Sequence, residues 1–180
     1  MTVFIALLRS VNVGGTGKFP MSELKKLCEA ARFTEVHTYI ASGNVLFESG
    51  KTEARVKAEV EKRVAKYAGR AIPVLIRTAQ EMAAIMKMNP FPDTDPARTV
   101  VIFLDKAPPK DTLATAKGQT QEEIRLGKRE IYVHYGAGQG NTKLRLAASE
   151  FGTARNMNTV AKLATMSPVR QPRSPRVKAS

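Results

Sequence analysis

The residues best able to do chemistry lie in two short stretches at opposite ends of the chain. The first runs Arg9-Ser10-Val11-Asn12-Val13-Gly14-Gly15-Thr16-Gly17-Lys18, directly after the apolar run Val3–Leu8 and before Pro20-Met21, which opens a helical pattern. Glycines with an arginine and a lysine beside a helix start form a generic anion cradle, because backbone N–H groups there are unpaired and the helix dipole favours negative charge. Arg9, Asn12, Gly14, Gly15 and Lys18 are its candidate ligand residues. The same glycines are also explained by a loop that needs positive φ and nothing more. A nucleotide P-loop does not fit: Asn12 stands where its first glycine belongs, and Phe19 where Ser or Thr must hold magnesium. A dinucleotide G-x-G-x-x-G fails because Pro20 replaces its last glycine.

The second stretch is Arg155 to Met166, read as a helix with Thr153 as N-cap. At 3.6 residues per turn, Met157, Val160, Leu163 and Ala164 share one side and Arg155, Asn158, Thr159 and Lys162 the other. Arg155, Asn158 and Lys162 could hold a phosphate or carboxylate; a solvated helix face would look the same. Asn156 falls on the apolar side and reads as structural. Between the two stretches, Ser42-Gly43-Asn44 is a hairpin turn signal. Ser42 and Asn44 join the candidate ligand set, although the turn alone accounts for them.

Other chemistries find little support. Two histidines, His37 and His134, and one cysteine give no metal-ligand spacing, so neither metal nor cofactor is expected. No catalytic residue can be assigned: no Ser/His/Asp or Cys/His set is visible, and no acid pair stands out. Cys28 sits in a helical pattern with Leu24, Leu27 and Ala31 and reads as a buried, inert thiol. It excludes an internal disulfide, and no signal-peptide pattern precedes the first strand; both point to a reducing cytoplasm. No run of eighteen apolar residues exists, so no membrane partner is expected.

The elements that must position these residues follow from periodicity. Strands are expected at 3–8, 36–40, 45–47 and 72–77, with helices at 21–32 and 52–68. The order β-α-β-β-α-β is the split βαβ arrangement of ferredoxin-like folds, with both helices on one face of an antiparallel sheet. The other face must be solvated, bind something or meet a second sheet. Residues 78–167 repeat the theme loosely. A capping box at Thr78–Glu81 starts a helix that Asn89-Pro90 stops. A strand follows at 98–104, a poorly formed helix at 109–117, and a hairpin of 123–126 with 131–135. Helical stretches are then expected near 142–151 and 155–166. No residue-level repeat links the halves. The prediction is an α+β fold of two ferredoxin-like (RRM-like) subdomains, 1–77 and 78–167, the second less complete. A basic tail, 168–180, reads as disordered.

Several of these segments together are similar to the DUF1697 family, bacterial proteins of unassigned function. They are Leu7 to Gly15 with Pro20-Met21, Thr38 to Val45, Asn89-Pro90-Phe91, and Thr153 to Val160 with Lys162-Leu163. The resemblance spans roughly residues 2–166. It implies two ferredoxin-like or RRM-like subdomains and supplies no activity. Met157 stands where the family pattern has tryptophan and Ser10 where it has glycine, so an aromatic stacking role at Met157 is lost.

Charge narrows the partners. The net charge is +13, and four basic side chains in the tail leave +9 on the remainder. Such an excess attracts polyanions, and many basic proteins carry it without binding nucleic acid. Three functions are therefore carried forward. The first is binding of an anionic ligand, either nucleic acid or a nucleotide or phosphate, at a basic site between the first loop and the last helix. Stacking of bases on Phe4, Phe47, Phe103 or Tyr132 across an open sheet face would be its RNA-binding form. The second is an enzyme acting on a small phosphorylated or carboxylated metabolite. The third is a structural or interaction role.

Overall fold

The computed structural model describes residues 1–15 and 18–167. The tail expected to be disordered, and Thr16 and Gly17 of the first loop, lie outside the described residues. Eight strands form two antiparallel sheets. The first sheet takes β1 (Thr2–Leu8), β2 (Thr34–Tyr39), β3 (Asn44–Ser49) and β4 (Val74–Thr78), in the order β2-β3-β1-β4. The second takes β5 (Thr99–Phe103), β6 (Glu122–Leu126), β7 (Glu130–Tyr135) and β8 (Thr153–Asn156), in the order β6-β7-β5-β8. The strand order of the first sheet thus recurs in the second, and the fold is α+β with two ferredoxin-like sheets.

Helices α1 (Met21–Ala30) and α2 (Glu53–Ala68) cover one face of the first sheet. Leu24 and Cys28 of α1 and Val56, Val60 and Val64 of α2 pack there on Phe4, Ala6, Leu8, Val45 and Phe47. The opposite face does not stay open. Ile5, Leu7, Leu46 and Leu75 join Val101, Phe103 and Tyr132 of the second sheet in one central cluster. Helix α3 (Ala79–Lys87) adds Met82 and Ile85, and α4 (Met157–Met166) adds Met157, Val160 and Leu163. Each large aliphatic side chain buried here contributes roughly 1.5–3 kcal/mol. Irregular chain closes the outer face of the second sheet through Leu144, Leu146 and Ala148.

The predicted capping box at α3 forms: Thr78 Oγ1 accepts from Glu81 N and the Glu81 carboxylate accepts from Thr78 N. Corrections concern the second half. Residues 109–117 make turns and no helix, and 142–151 holds only a short 3₁₀ segment, Ala147–Phe151. The helix expected from Arg155 begins at Met157, with Asn156 rather than Thr153 as its N-cap, accepting from Thr159 N at 3.0 Å. Residues 153–156 are instead β8, paired with β5 alone. Its inward positions are Thr153 and Arg155, both buried and polar, so hydrophobic alternation could not mark it as a strand.

The four rings considered for base stacking are all interior. Phe4 and Phe47 lie under α1 and α2, and Phe103 and Tyr132 lie between the sheets. The Tyr132 hydroxyl donates to Ile85 O at 3.0 Å. With both faces of each sheet covered, the RRM mode of stacking is closed.

Candidate functional site

The C-terminal end of β1 is where the two halves meet. Leu8 N donates to Gly43 O at 2.8 Å and Arg9 N to Pro73 O at 3.0 Å, which fixes the direction of the first loop. Asn12 then closes that loop. Its Nδ2 donates to Phe19 O at 2.9 Å and to Ala41 O at 2.7 Å, and its Oδ1 accepts from Phe19 N at 2.6 Å. Holding these bonds places Asn12 at φ 54°, with Ser10 at 52° and Ile40 at 50° in the neighbouring turn. A β-branched residue there is an outlier, and such strain, of order 1 kcal/mol or more per residue, collects at functional sites. Gly43 has no alternative: a Cβ would sit 2.5 Å from Val11 Cγ2 and 2.9 Å from Leu8 Cβ, at φ +83°.

Arg155 crosses from the second sheet into this corner. Its Nε donates to Asn44 Oδ1 at 2.7 Å, and one terminal nitrogen donates to Thr153 Oγ1 at 2.8 Å and Ala154 O at 2.9 Å. The other donates to Leu8 O at 3.0 Å and Ser42 O at 2.8 Å. All five N–H groups are therefore used within the protein, and every acceptor is neutral. Burial without a carboxylate pushes the Arg155 pKa down to about 10, so at neutral pH a charged guanidinium stands uncompensated inside the fold. Asn44, fully buried, is its partner; Asn44 Nδ2 donates to Tyr39 O and Ser42 Oγ.

Two cavities open around the loop and share Val13. The inter-sheet cavity, about 430 Å³, is lined by Arg9, Ser10, Ser42, Tyr135, Ser149, Thr153 and Arg155 together with Leu8, Val11, Val13, Ile102, Gly152 and Ala154. No Asp or Glu is among them. The loop cavity, about 630 Å³, is lined by Asn12, Val13, Gly14, Gly15, Lys18, Phe19, Pro20, Met21 and Ala41. Arg9 is half-buried and Lys18 exposed. Neither cation pairs with a carboxylate among the described residues, whereas Arg70 spends a donor on Ser10 O at 3.2 Å.

The structure thus brings Arg9, Ser42 and Arg155 to one cavity and Asn12, Gly14, Gly15 and Lys18 to its neighbour. Asn44 stands behind Arg155. Asn158 and Lys162 are exposed on α4 and line neither cavity. Tyr135, Thr153, Ser10 and Ser149 are not among the ligand residues expected from the sequence, because isolated hydroxyl residues carry no spacing signal. Tyr135 is buried, which raises its pKa. Among the described residues, no three His, Cys, Asp or Glu side chains converge as a metal site. Cys28 lines neither cavity; it lies on the buried face of α1, its thiol pushed up to about 12 by burial. Among the same residues, no helix is long and apolar enough to cross a membrane.

A second buried arginine, Arg77, mirrors Arg155. Arg77 pairs with Ile5 on β1 as Arg155 pairs with Val101 on β5, and each precedes the N-cap of a helix, Thr78 or Asn156. Arg77 donates to Leu104 O at 2.8 Å, at the end of β5, as Arg155 donates to Leu8 O at the end of β1. Each half therefore clasps the other through one arginine. The signal was present in Val74-Leu75-Ile76-Arg77, where a charge ends an apolar strand on its inward register.

The chain is similar over almost its whole length to the solved structure of the conserved bacterial protein SP0830 from Streptococcus pneumoniae. It matches at TM-score 0.78 and 23% identity, covering 93% of this chain and 99% of that one, which establishes the shared fold. No curated protein matches the chain. The family model described as "Protein of unknown function (DUF1697)" matches residues 1–132, and the chain belongs to that family.

Proposed function

We propose that this protein binds a small anionic molecule in the inter-sheet cavity beside the first loop. The observation that carries the reading is a cavity of about 430 Å³ with two arginines and no acid in its wall. Arg9 offers free donors for direct contact. Arg155 contributes charge and not hydrogen bonds, since its donors are spent on Leu8, Ser42, Asn44, Thr153 and Ala154. From the buried side of the cavity that charge favours an anion at short range. The hydroxyls of Ser42 and Thr153, which accept from Asn44 and Arg155 and keep their own protons, are suited to orient it together with that of Ser10. The volume suits a metabolite-sized ligand. Lys18 and the glycines of the adjoining cavity are placed to hold a further part of a larger ligand such as a nucleotide.

The test is thermal unfolding with a panel of inorganic phosphate, nucleoside monophosphates, small carboxylates and a short labelled oligonucleotide, on wild type and Arg9→Ala. A ligand at a hundred times its Kd raises stability by about 2.7 kcal/mol. Stabilisation by a small anion that Arg9→Ala removes is the expected result. If no anion stabilises the fold, or Arg9→Ala responds as wild type does, the proposal fails. Stabilisation by the oligonucleotide alone, lost steeply with salt, would move the site to the basic surface.

A further inference from the structure

Helix α2 carries the carboxylates Glu53, Glu59 and Glu61 among a larger number of cations, and folding spends all three. Glu53 binds Arg129 of the second half at 2.7 Å. Glu59 binds Arg63 at 2.7 Å. Glu61 accepts from Val74 N at 3.0 Å and lies 3.7 Å from Lys57, whose ammonium also meets Asp105. What is left over is cationic. Arg55, Lys62 and Lys66 are exposed and form no ion pair among the described residues.

These three cations form one ridge. At 3.6 residues per turn they fall within about 40° of one another, on the side of α2 away from the buried Val56, Val60 and Val64. Glu59 shares that side and is the carboxylate that Arg63 holds. At about 1.5 Å per residue the ridge runs about 16 Å from Arg55 to Lys66. Past the Gly69 cap, exposed Arg70 continues it, anchored by one bond of 3.2 Å to Ser10 O. Next to Lys66, at the edge of the ridge, the Tyr67 ring is 45% exposed. Phe19 holds it in place, with ring centroids 5.0 Å apart. A row of unpaired cations beside a fixed, exposed ring can take phosphates on the one and a base on the other.

We infer that the outer face of α2 binds single-stranded nucleic acid, with Arg55, Lys62, Lys66 and Arg70 along its phosphates and Tyr67 stacked on a base. The covered sheet faces close the RRM route, and this surface lies on the helical layer instead. A strand carries one phosphate per about 3.4 Å, so the ridge runs beside about five of them. A duplex keeps its base faces stacked inside and offers Tyr67 nothing to stack on. An anionic lipid surface or an acidic protein would use the cations and leave the ring without a role. None of these five residues lines the inter-sheet cavity, so the inference is independent of the anion site proposed there.

The experiment is fluorescence anisotropy of the full chain with a labelled single-stranded oligouridylate, titrated with salt. Duplex RNA, heparin fragments and phosphatidylserine vesicles serve as competitors. The ridge variant combines Arg55→Gln, Lys62→Gln and Lys66→Gln. A charge-matched control combines Lys106→Gln, Lys110→Gln and Lys143→Gln, all exposed and in the second half. The slope of log affinity against log salt should fall by about 2 in the ridge variant, about 0.7 per lost phosphate contact, and hold in the control. Tyr67→Ala should weaken binding about tenfold, and Tyr67→Phe should bind as wild type does. Tm confirms that each variant is folded, and the ridge variant reads the surface without touching the Phe19 contact. Absence of binding overturns the inference. Equal loss in both triple variants, or loss in neither, overturns it by assigning the affinity to overall charge or to another surface. Tyr67→Ala binding as wild type does, or competition by duplex, heparin or vesicles as strong as by the single strand, overturns it in favour of a general polyanion surface. Each of these failures leaves the cavity reading standing.

Discussion

Replacing Arg155 by alanine should destabilise the fold by about 4 kcal/mol, more than any change on the exposed face of α4. The guanidinium makes five hydrogen bonds, all to neutral oxygens between 2.7 and 3.0 Å. A bond from a charged donor contributes about 1.5 kcal/mol at the low end, so five give roughly 7 kcal/mol. Against this, burial lowers the Arg155 pKa from 12.5 to about 10, a cost of about 3 kcal/mol for keeping the group charged. The difference is about 4 kcal/mol. Alanine also strands the carbonyls of Leu8 and Ser42 beside the cavity, where water can reach them and limit the loss. Arg155→Lys keeps the charge but has three donors in place of five, so it should recover less than half of the difference. Urea unfolding of wild type and both variants measures this through the midpoint at constant m. A loss below about 1 kcal/mol for Arg155→Ala, or full recovery by lysine, would refute the view that the guanidinium fork clasps the halves together.

Three further outcomes follow from the same geometry. Gly43→Ala should cost about 2 kcal/mol or more, since its Cβ meets Val11 Cγ2 at 2.5 Å on a backbone at φ +83°; the urea midpoint reads this directly. The Cys28 thiol, raised to about 12, should react with a disulfide reagent at neutral pH only as fast as the protein opens, and at the free-thiol rate in denaturant. Stability should fall in acid. The Glu122 carboxylate, which accepts from Thr120 N and Thr142 Oγ1, is lowered to about 2, and Glu81, in the α3 cap and bonded to Arg129, is lowered as well. A depressed folded pKa gives stability that is present above the unfolded value of about 4.3 and lost as pH falls through the folded one. The urea midpoint should therefore be flat above about pH 5 and decline toward pH 2, and Glu122→Gln should shrink that decline.

The local grammar of the chain was enough to place most elements. Apolar runs marked β1 and β5, the valine stripe Val56-Val60-Val64 marked α2, and Thr78 with Glu81 marked the start of α3. The order of these elements named the α+β class and the ferredoxin-like arrangement, because right-handed connections leave few other ways to pair the strands. It also marked Arg9, Lys18 and Arg155 as cations worth following. β8 was not legible, since its buried positions are Thr153 and Arg155, and a buried polar alternation looks like a surface. Nor was the fate of Arg155 legible. Whether a guanidinium reaches a ligand or spends its donors on the carbonyls of Leu8 and Ser42 depends on residues more than a hundred positions away. The tertiary structure decided that, along with the closing of both sheet faces over Phe4, Phe47, Phe103 and Tyr132. It decided too that each half clasps the other through one buried arginine, Arg77 reaching Leu104 O and Arg155 reaching Leu8 O. Periodicity reports which side of an element is apolar; only packing reports which element covers it and which charge is left without a partner.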